Sequence, residues 1–369
     1  MAPDSMKWQT LCQFIKHRSF TRQARQTQRE KVSTSASVPT RQPRLGKNHR
    51  STIRSFTVRA AAAGATRRKP ATMKLFLIGL GLLASVMAWQ HLRYLDARRS
   101  FVQDKQSLLH SASSFHVITY LEVAKNTEII PEVSRLAKAI EKEGSGELIY
   151  AGQAAFTVES ARLGPARWDA TILVEYPSRD VYEKASQASD YQEALAPFAR
   201  SYAHGMKRHP LVNLALPQAL LALRLVDIAK GNFRAAPLEP LARPADAPAE
   251  YDMVLERAAT LRGLAAVNAD AIVIFNLMKP GDSSQQAANS DYGSKMMSRM
   301  AALAHGPVHL GKAVALDGDV DFNDVVIVYY PGPEYFADLM QSSFFLGIIG
   351  DKQLGDTLVV PTVPILSQL

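Results

Sequence analysis

Six polar side chains stand on otherwise apolar segments, in three pairs separated by 156, 159 and 154 positions. Tyr120 matches Asn276. Tyr150 matches His309, each two residues before a glycine (Gly152 and Gly311), and Glu175 matches Tyr329. A polar group on a half-buried strand costs about a few kcal/mol unless it is partnered. Two readings follow. In the first, a pocket beside a sheet uses Tyr120, Glu175 and His309 as catalytic groups and Tyr150, Asn276 and Tyr329 as ligand-binding groups. In the second, the same side chains face solvent or an internal interface and bond each other. Glu175 is the sharpest candidate, because a carboxylate desolvated between sheet and helices carries a raised pKa suited to proton transfer.

Other chemistries find little support. His305 and His309 are four apart, but Gly306-Pro307 between them breaks any helix that would align them on a metal. His204 and His209 bracket Gly205 at a spacing of five. Asp317-Gly-Asp-Val-Asp321 begins like a calcium loop, yet Val328 stands where its terminal glutamate belongs, and a hairpin turn explains Asp317-Gly318 better. No zinc pattern or Gly-rich phosphate loop is present. The single cysteine, Cys12, leaves no intrachain disulfide or thiolate cluster downstream.

The elements that must position these residues come in two sets. YPSRDVYEKASQASDY from Tyr176 and YPGPEYFADLMQSSFF from Tyr330 share Tyr176/Tyr330, Pro177/Pro331 and Ser189/Ser343, and pair Asp180 with Glu334 and Tyr191 with Phe345. Each follows an apolar strand, so one six-element unit is expected twice. In the first set the pattern predicts strands at 115–122, 147–158 and 168–176, helices at 130–143 and 178–204, and a short last strand at 211–216. In the second it predicts strands at 271–277, 308–316, 322–330 and 358–365, with helices at 285–305 and 333–349. The expected organisation is a repeat over 115–216, a helical and Pro-rich linker over 217–269, and a second repeat over 270–369. Within the linker, Pro217 is placed in the first turn of a helix ending at Lys230, and a second helix covers 250–267.

A β-α-β-β-α-β order with an antiparallel sheet is the ferredoxin-like motif. The strand Ile172–Ser178 followed by Asp180, Tyr182, Ser189 and Tyr191 resembles the dimeric α/β-barrel superfamily, and within it the domain of unknown function 1330 family. The resemblance covers about Phe115 to Leu216 and, more weakly, Ala271 to Ile365. It departs where Tyr329 and Phe345 replace Glu175 and Tyr191, which points to the first copy for any working pocket. The resemblance implies an α+β fold of two tandem ferredoxin-like units forming an intrachain dimeric α/β barrel. For function it implies a cofactor-free monooxygenase or isomerase, with a non-catalytic ligand-binding or assembly module as the alternative. No cofactor is predicted, haem being the one alternative kept.

The chain's ends and charge complete the reading. Residues 1–72 carry 16 Lys/Arg against Asp4 and Glu30, so the net +9 of the whole chain hides a mildly acidic remainder. The high pI is therefore no argument for a nucleic-acid-binding domain, and no nucleic-acid partner is expected for the folded part; 1–72 reads as a disordered basic extension or a targeting segment. Leu75–Trp89 runs fifteen residues without a charge. With flanking Lys74, Arg93, Trp89 and Tyr94 it predicts a signal anchor over 73–95 and a helical stalk over 96–114, a cleaved signal being the competing reading. The expected topology is single-pass, N-terminus cytoplasmic and the tandem domain on the far side. The partners are then the bilayer through 74–95, a small-molecule ligand and, as a further option, a second copy of the chain.

Overall fold

The computed structural model describes residues 70–369 except 143–144, 241–249, 304 and 319. The expected basic extension and Cys12 lie outside the described residues. Helix α1 (Pro70–Ser100) opens the described chain, and the compact unit that follows comprises Met87–Leu369. Its elements are β1 (Phe115–Val123), α2 (Ile129–Lys142), β2 (Glu147–Ala154), β3 (Ala170–Tyr176), α3 (Arg179–Ala185), α4 (Ser189–Leu195) and β4 (Phe198–Lys207). After α5 (Val212–Ala229) and α6 (Glu250–Gly263) come β5 (Ile272–Lys279), α7 (Ser283–Leu303), β6 (Gly306–Ala315), β7 (Asp324–Tyr330), α8 (Gly332–Gln341), α9 (Ser343–Ile348) and β8 (Asp356–Pro364).

The eight strands close into a barrel in the order β1-β3-β2-β8-β5-β7-β6-β4. Each half therefore runs fourth-first-third-second. The halves meet along two antiparallel seams: Gly152 opposite Pro364 on β2/β8, and His204 opposite Ala315 on β4/β6. Period-two alternation divides the side chains into lumen and outer face. The lumen is a packed core of Tyr120, Tyr150, Trp168, Tyr202, Phe275 and their neighbours, as befits an eight-stranded barrel just wide enough for side chains. Outside, the first half packs α2, α3 and α4 against its sheet, and the second packs α6 to α9.

The Tyr-Pro segments occupy matching places. Tyr176 and Tyr330 end β3 and β7, Ser189 and Ser343 open α4 and α9, and Asp180 and Glu334 sit in first helical turns. Three expectations are corrected. The helical stalk expected over 96–114 is helical only to Ser100; 101–114 is turn and coil, in which Val102, Asp104 and Gln106 are buried. The helix predicted over 178–204 is two short helices, α3 and α4, followed by β4. Ala199 and Ala203 blur an alternation in which Tyr202, His204 and Met206 face one way. The strand predicted over 211–216 is the first turn of α5, so Pro217 lies inside that helix, its missing N–H falling where an Asn213 carbonyl would otherwise be bonded.

Among the described residues two helices are long and apolar enough to cross a membrane by length and composition, Met73–Ser100 and Val212–Ala229. On α1, Leu75, Phe76, Leu80, Leu82 and Trp89 are all exposed.

Candidate functional site

Five of the six polar positions turn into the lumen, where they do not form an open pocket. The Tyr150 and His309 positions correspond, since Tyr150 stands opposite Leu173 and His309 opposite Ile327, each just past a bulge. The Tyr150 hydroxyl meets the Thr362 hydroxyl at 2.7 Å, and Thr362 donates to the Val273 carbonyl at 3.0 Å, so Tyr150 is the donor that ties the two halves together. Tyr120 is fully buried among Trp168, Tyr202 and Phe275. Tyr329 packs its ring on His305 at 4.7 Å. Glu175 lies partly exposed on the lumen side, not between sheet and helices, with its carboxylate 3.6 Å from His116 Nε2.

The pairing of Tyr120 with Asn276 is corrected. Phe115 stands opposite Tyr176 and Ile272 opposite Tyr330, so the counterpart of Tyr120 is Leu277 and that of Asn276 is Thr119. A slip of one residue moves a side chain to the other face of a sheet. Thr119 and Asn276 both point outward, and each finds a partner in its own helical layer. In the first half the Tyr191 hydroxyl bonds Thr119, and burial pushes that phenol up to about 12. In the second half Phe345 has no hydroxyl, and Lys352 Nζ donates to Asn276 Oδ1 at 3.2 Å instead.

Around Asn276 and Lys352 the outer layer of the second half forms a partly open cavity of about 590 Å³. Its floor is the sheet (Ile274, Val326, Val328) and its roof includes Met296 and Met300 of α7 and Met340 of α8. The cavity exists because α7 buries only Met296, Met300 and Ala301. In the first half α2, two turns shorter, buries Val133, Leu136, Ala137, Ala139 and Ile140 in the same layer. Unbranched thioethers adapt to whatever fills such a space. Gly293 of α7 also lines it, with nothing within 4 Å of where a Cβ would stand. Gly293→Ala should therefore raise stability by about 0.5–1 kcal/mol through helix propensity alone, read as a higher urea midpoint with an unchanged slope.

Both polar groups are fixed in place. Asn276 Nδ2 donates to the Val326 and Ile274 carbonyls at 2.9 and 3.1 Å, which aims Oδ1 at the lysine. Lys352 follows a 3-10 turn, Ile349–Asp351, its own N–H bonded to the Ile349 carbonyl at 3.0 Å. It is half-buried and lines the cavity. Desolvation lowers its amine to about 8. The other charged group on the cavity wall, Asp356, is already occupied by Ser160 Oγ at 2.5 Å and the N–H groups of Ala161 and Thr357. Sequence reasoning found Asn276 by its polarity on an apolar strand and missed Lys352, which sits in a polar Gly-Asp-Lys-Gln stretch that reads as a surface turn.

At one end of the lumen lies a second polar assembly. Asp104 accepts from Arg98 Nη2 at 2.7 Å and from His309 Nε2 at 2.9 Å, and its other oxygen takes the Gln106 N–H at 2.8 Å. Arg208 donates to Gln106 Oε1 and, at 2.8 Å, to Asn213 Oδ1. With its oxygen so occupied, Gln106 must donate its amide to His116 Nε2 at 2.8 Å. That places the His116 proton on Nδ1, so Glu175 faces a lone pair and forms no ion pair with it. Burial first, then the Arg98 charge, lowers Arg208 to about 9; burial lowers His309 to about 3.

A histidine-ligated haem fits neither place: no histidine or cysteine lines the cavity, and His309 is committed to Asp104 within a packed lumen.

No family model matches the chain, and no curated protein does. Solved structures with similar arrangements include a protein of Fusobacterium nucleatum named a candidate monooxygenase (9% identity, TM-score 0.35, 69% of this chain and 94% of that one). A chlorite dismutase from Candidatus Nitrospira defluvii, in complex with imidazole, gives 9% identity and a TM-score of 0.36 over 70% of this chain and 94% of its own. An anthrone oxidase-like protein gives 11% and 0.34 over 70% and 94%. Likeness at this level assigns neither family nor activity to the chain.

Proposed function

We propose that the chain is a small-molecule-binding α/β barrel whose ligand lies in the cavity of the second half. Its apolar body rests on the methionine roof and its one polar group meets Lys352. The observation that carries this is the Lys352–Asn276 pair: a desolvated amine, held by a side chain whose other hydrogen bonds are spent, facing a mainly apolar space of ligand size whose remaining polar lining is uncharged apart from the committed Asp356. The remaining features belong to the same reading. Two tandem ferredoxin-like units build the barrel, α1 anchors it in a bilayer with the barrel on the far side, and a homo-oligomer is compatible with it. The support for the anchor is the exposed apolar run of α1. An enzyme of isomerase or monooxygenase type is the second reading. Lys352 favours it, since an amine that titrates near 8 suits proton abstraction from an apolar acid. On either reading Tyr120, Tyr150, Tyr329, Glu175 and His309 serve the barrel, and Asn276 serves the ligand.

The test is titration of dansyl-undecanoic acid into the full-length protein in lipid nanodiscs, with empty discs as the blank. Saturable binding is expected. Gly293→Phe should abolish it by filling the cavity, and Lys352→Met should weaken it about 10- to 100-fold, the worth of one hydrogen bond to a charged group. Equal binding by wild type and Gly293→Phe would place any ligand elsewhere.

A further inference from the structure

Lys352 differs from an ion-pairing lysine in what surrounds it. An ammonium in an apolar wall is normally held by a carboxylate, because an unpaired charge there is costly. Here the amine's hydrogen-bond partner is the neutral Asn276 Oδ1 at 3.2 Å. Asp356, on the same cavity wall, has its carboxylate committed to Ser160, Ala161 and Thr357. One acceptor leaves two of the nitrogen's remaining positions facing a space of about 590 Å³. The arrangement fits a neutral amine, which needs one acceptor and has a lone pair to spend.

We propose that Lys352 forms an imine with an apolar aldehyde or ketone bound in this cavity. The inference rests on the cavity being the ligand site and adds the chemical class of the ligand. The Nζ lone pair attacks the carbonyl carbon, a C–N bond forms, and the carbonyl π pair passes to oxygen. The resulting carbinolamine loses that oxygen as water, taking both amine hydrogens, and leaves a C=N bond. No oxidant or reductant enters, and the reverse hydrolysis releases the ligand unchanged. The Met-rich roof accepts a flexible hydrocarbon tail, and no group on the wall competes for the carbonyl by charge.

The amine's titration supports the geometry. Desolvation lowers Lys352 to about 8, so at pH 7.4 the free-amine fraction is roughly 200-fold that of an ordinary lysine at about 10.4.

The experiment treats full-length protein in lipid nanodiscs with decanal and sodium cyanoborohydride at pH 7.4, followed by peptide mass spectrometry. One decyl group per chain on Lys352 is expected, formed about a hundredfold faster than on any exposed lysine. Lys352→Arg, which keeps the cation and the length, should lose that adduct while its circular dichroism is unchanged. Adducts spread evenly over the lysines would overturn the proposal. So would displacement of dansyl-undecanoic acid by decanal without an adduct on Lys352, a result that leaves the cavity as a non-covalent binding site. Neither displacement nor adduct would overturn both the imine and the cavity's role.

Discussion

Replacing Asp104 by alanine should cost the barrel unit about 3–5 kcal/mol, the penalty for removing one partner of a buried ion pair. Asp104 is 3% exposed and receives three donors: Arg98, His309 and the Gln106 N–H. Burial works to raise its pKa, but Arg98 and the His309 bond outweigh it and hold the carboxyl far below the usual range. With the carboxylate gone, the Arg98 guanidinium keeps only Asn213 Oδ1 at 3.1 Å. The last turn of α1 would then lose its link to His309 of β6, leaving the Tyr94 hydroxyl on the Pro307 carbonyl as the hydrogen bond from α1 to that strand. Arg208→Met should behave differently. That guanidinium rests on the neutral acceptors Asn213 and Gln106, so its loss strands no buried charge; it leaves the buried Gln106 Oε1 without a donor and should cost about 1–2 kcal/mol. Denaturant unfolding of both variants checks the contrast. A loss below about 1 kcal/mol in Asp104→Ala, or a loss in Arg208→Met as large as in Asp104→Ala, would mean that the cluster does not join α1 to the barrel.

Much of the barrel was legible because its strands alternate and its turns carry glycine and proline. The matched Tyr-Pro segments located β3, β7 and the helices after them, and the glycines at 152 and 311 paired Tyr150 with His309 correctly. β4 was not legible. Its segment, FARSYAHGMK, contains two alanines and no β-branched residue, and only its place between β1 and β6 makes it a strand. The Tyr120–Asn276 match failed for a related reason: Val-Ile recurs in both first strands one register apart, and similarity of letters carries no information about which face a letter takes. The cavity could not be read at all. It is a property of what α7 fails to fill, and of Phe345 lacking the hydroxyl that Tyr191 gives to Thr119. The substitution was visible in the sequence, but its consequence, an amine drawn in to partner Asn276, appears only when the turn at Ile349–Asp351 is folded against β5.

The barrel should also lose stability steeply in mild acid, because three imidazoles are buried in neutral form. Burial lowers His309 to about 3 and His204 to about 4, and burial followed by the Arg208 charge holds His116 well below the ordinary value. In the unfolded chain each takes a proton near pH 6.5. Between about pH 6.5 and these folded values the unfolded state binds more protons, so stability is complete above about 6.5 and falls as pH falls. Each such histidine contributes about 1.4 kcal/mol per pH unit, so the three together give about 4 kcal/mol per unit between roughly pH 6 and 5. The depressed carboxyl of Asp104 adds nothing in this window, since its contribution is lost only below the unfolded carboxylate value of about 3.9. Urea unfolding at half-unit steps from pH 7.5 to 5 reads the slope directly. His204→Gln, which keeps an acceptor for the Tyr202 hydroxyl now 3.0 Å from His204 Nδ1, should reduce the slope by one proton. A wild-type slope of one proton or less would show that these histidines are charged in the folded state, and the placement of a lone pair on His116 Nε2 in the Gln106–His116 contact would then be wrong.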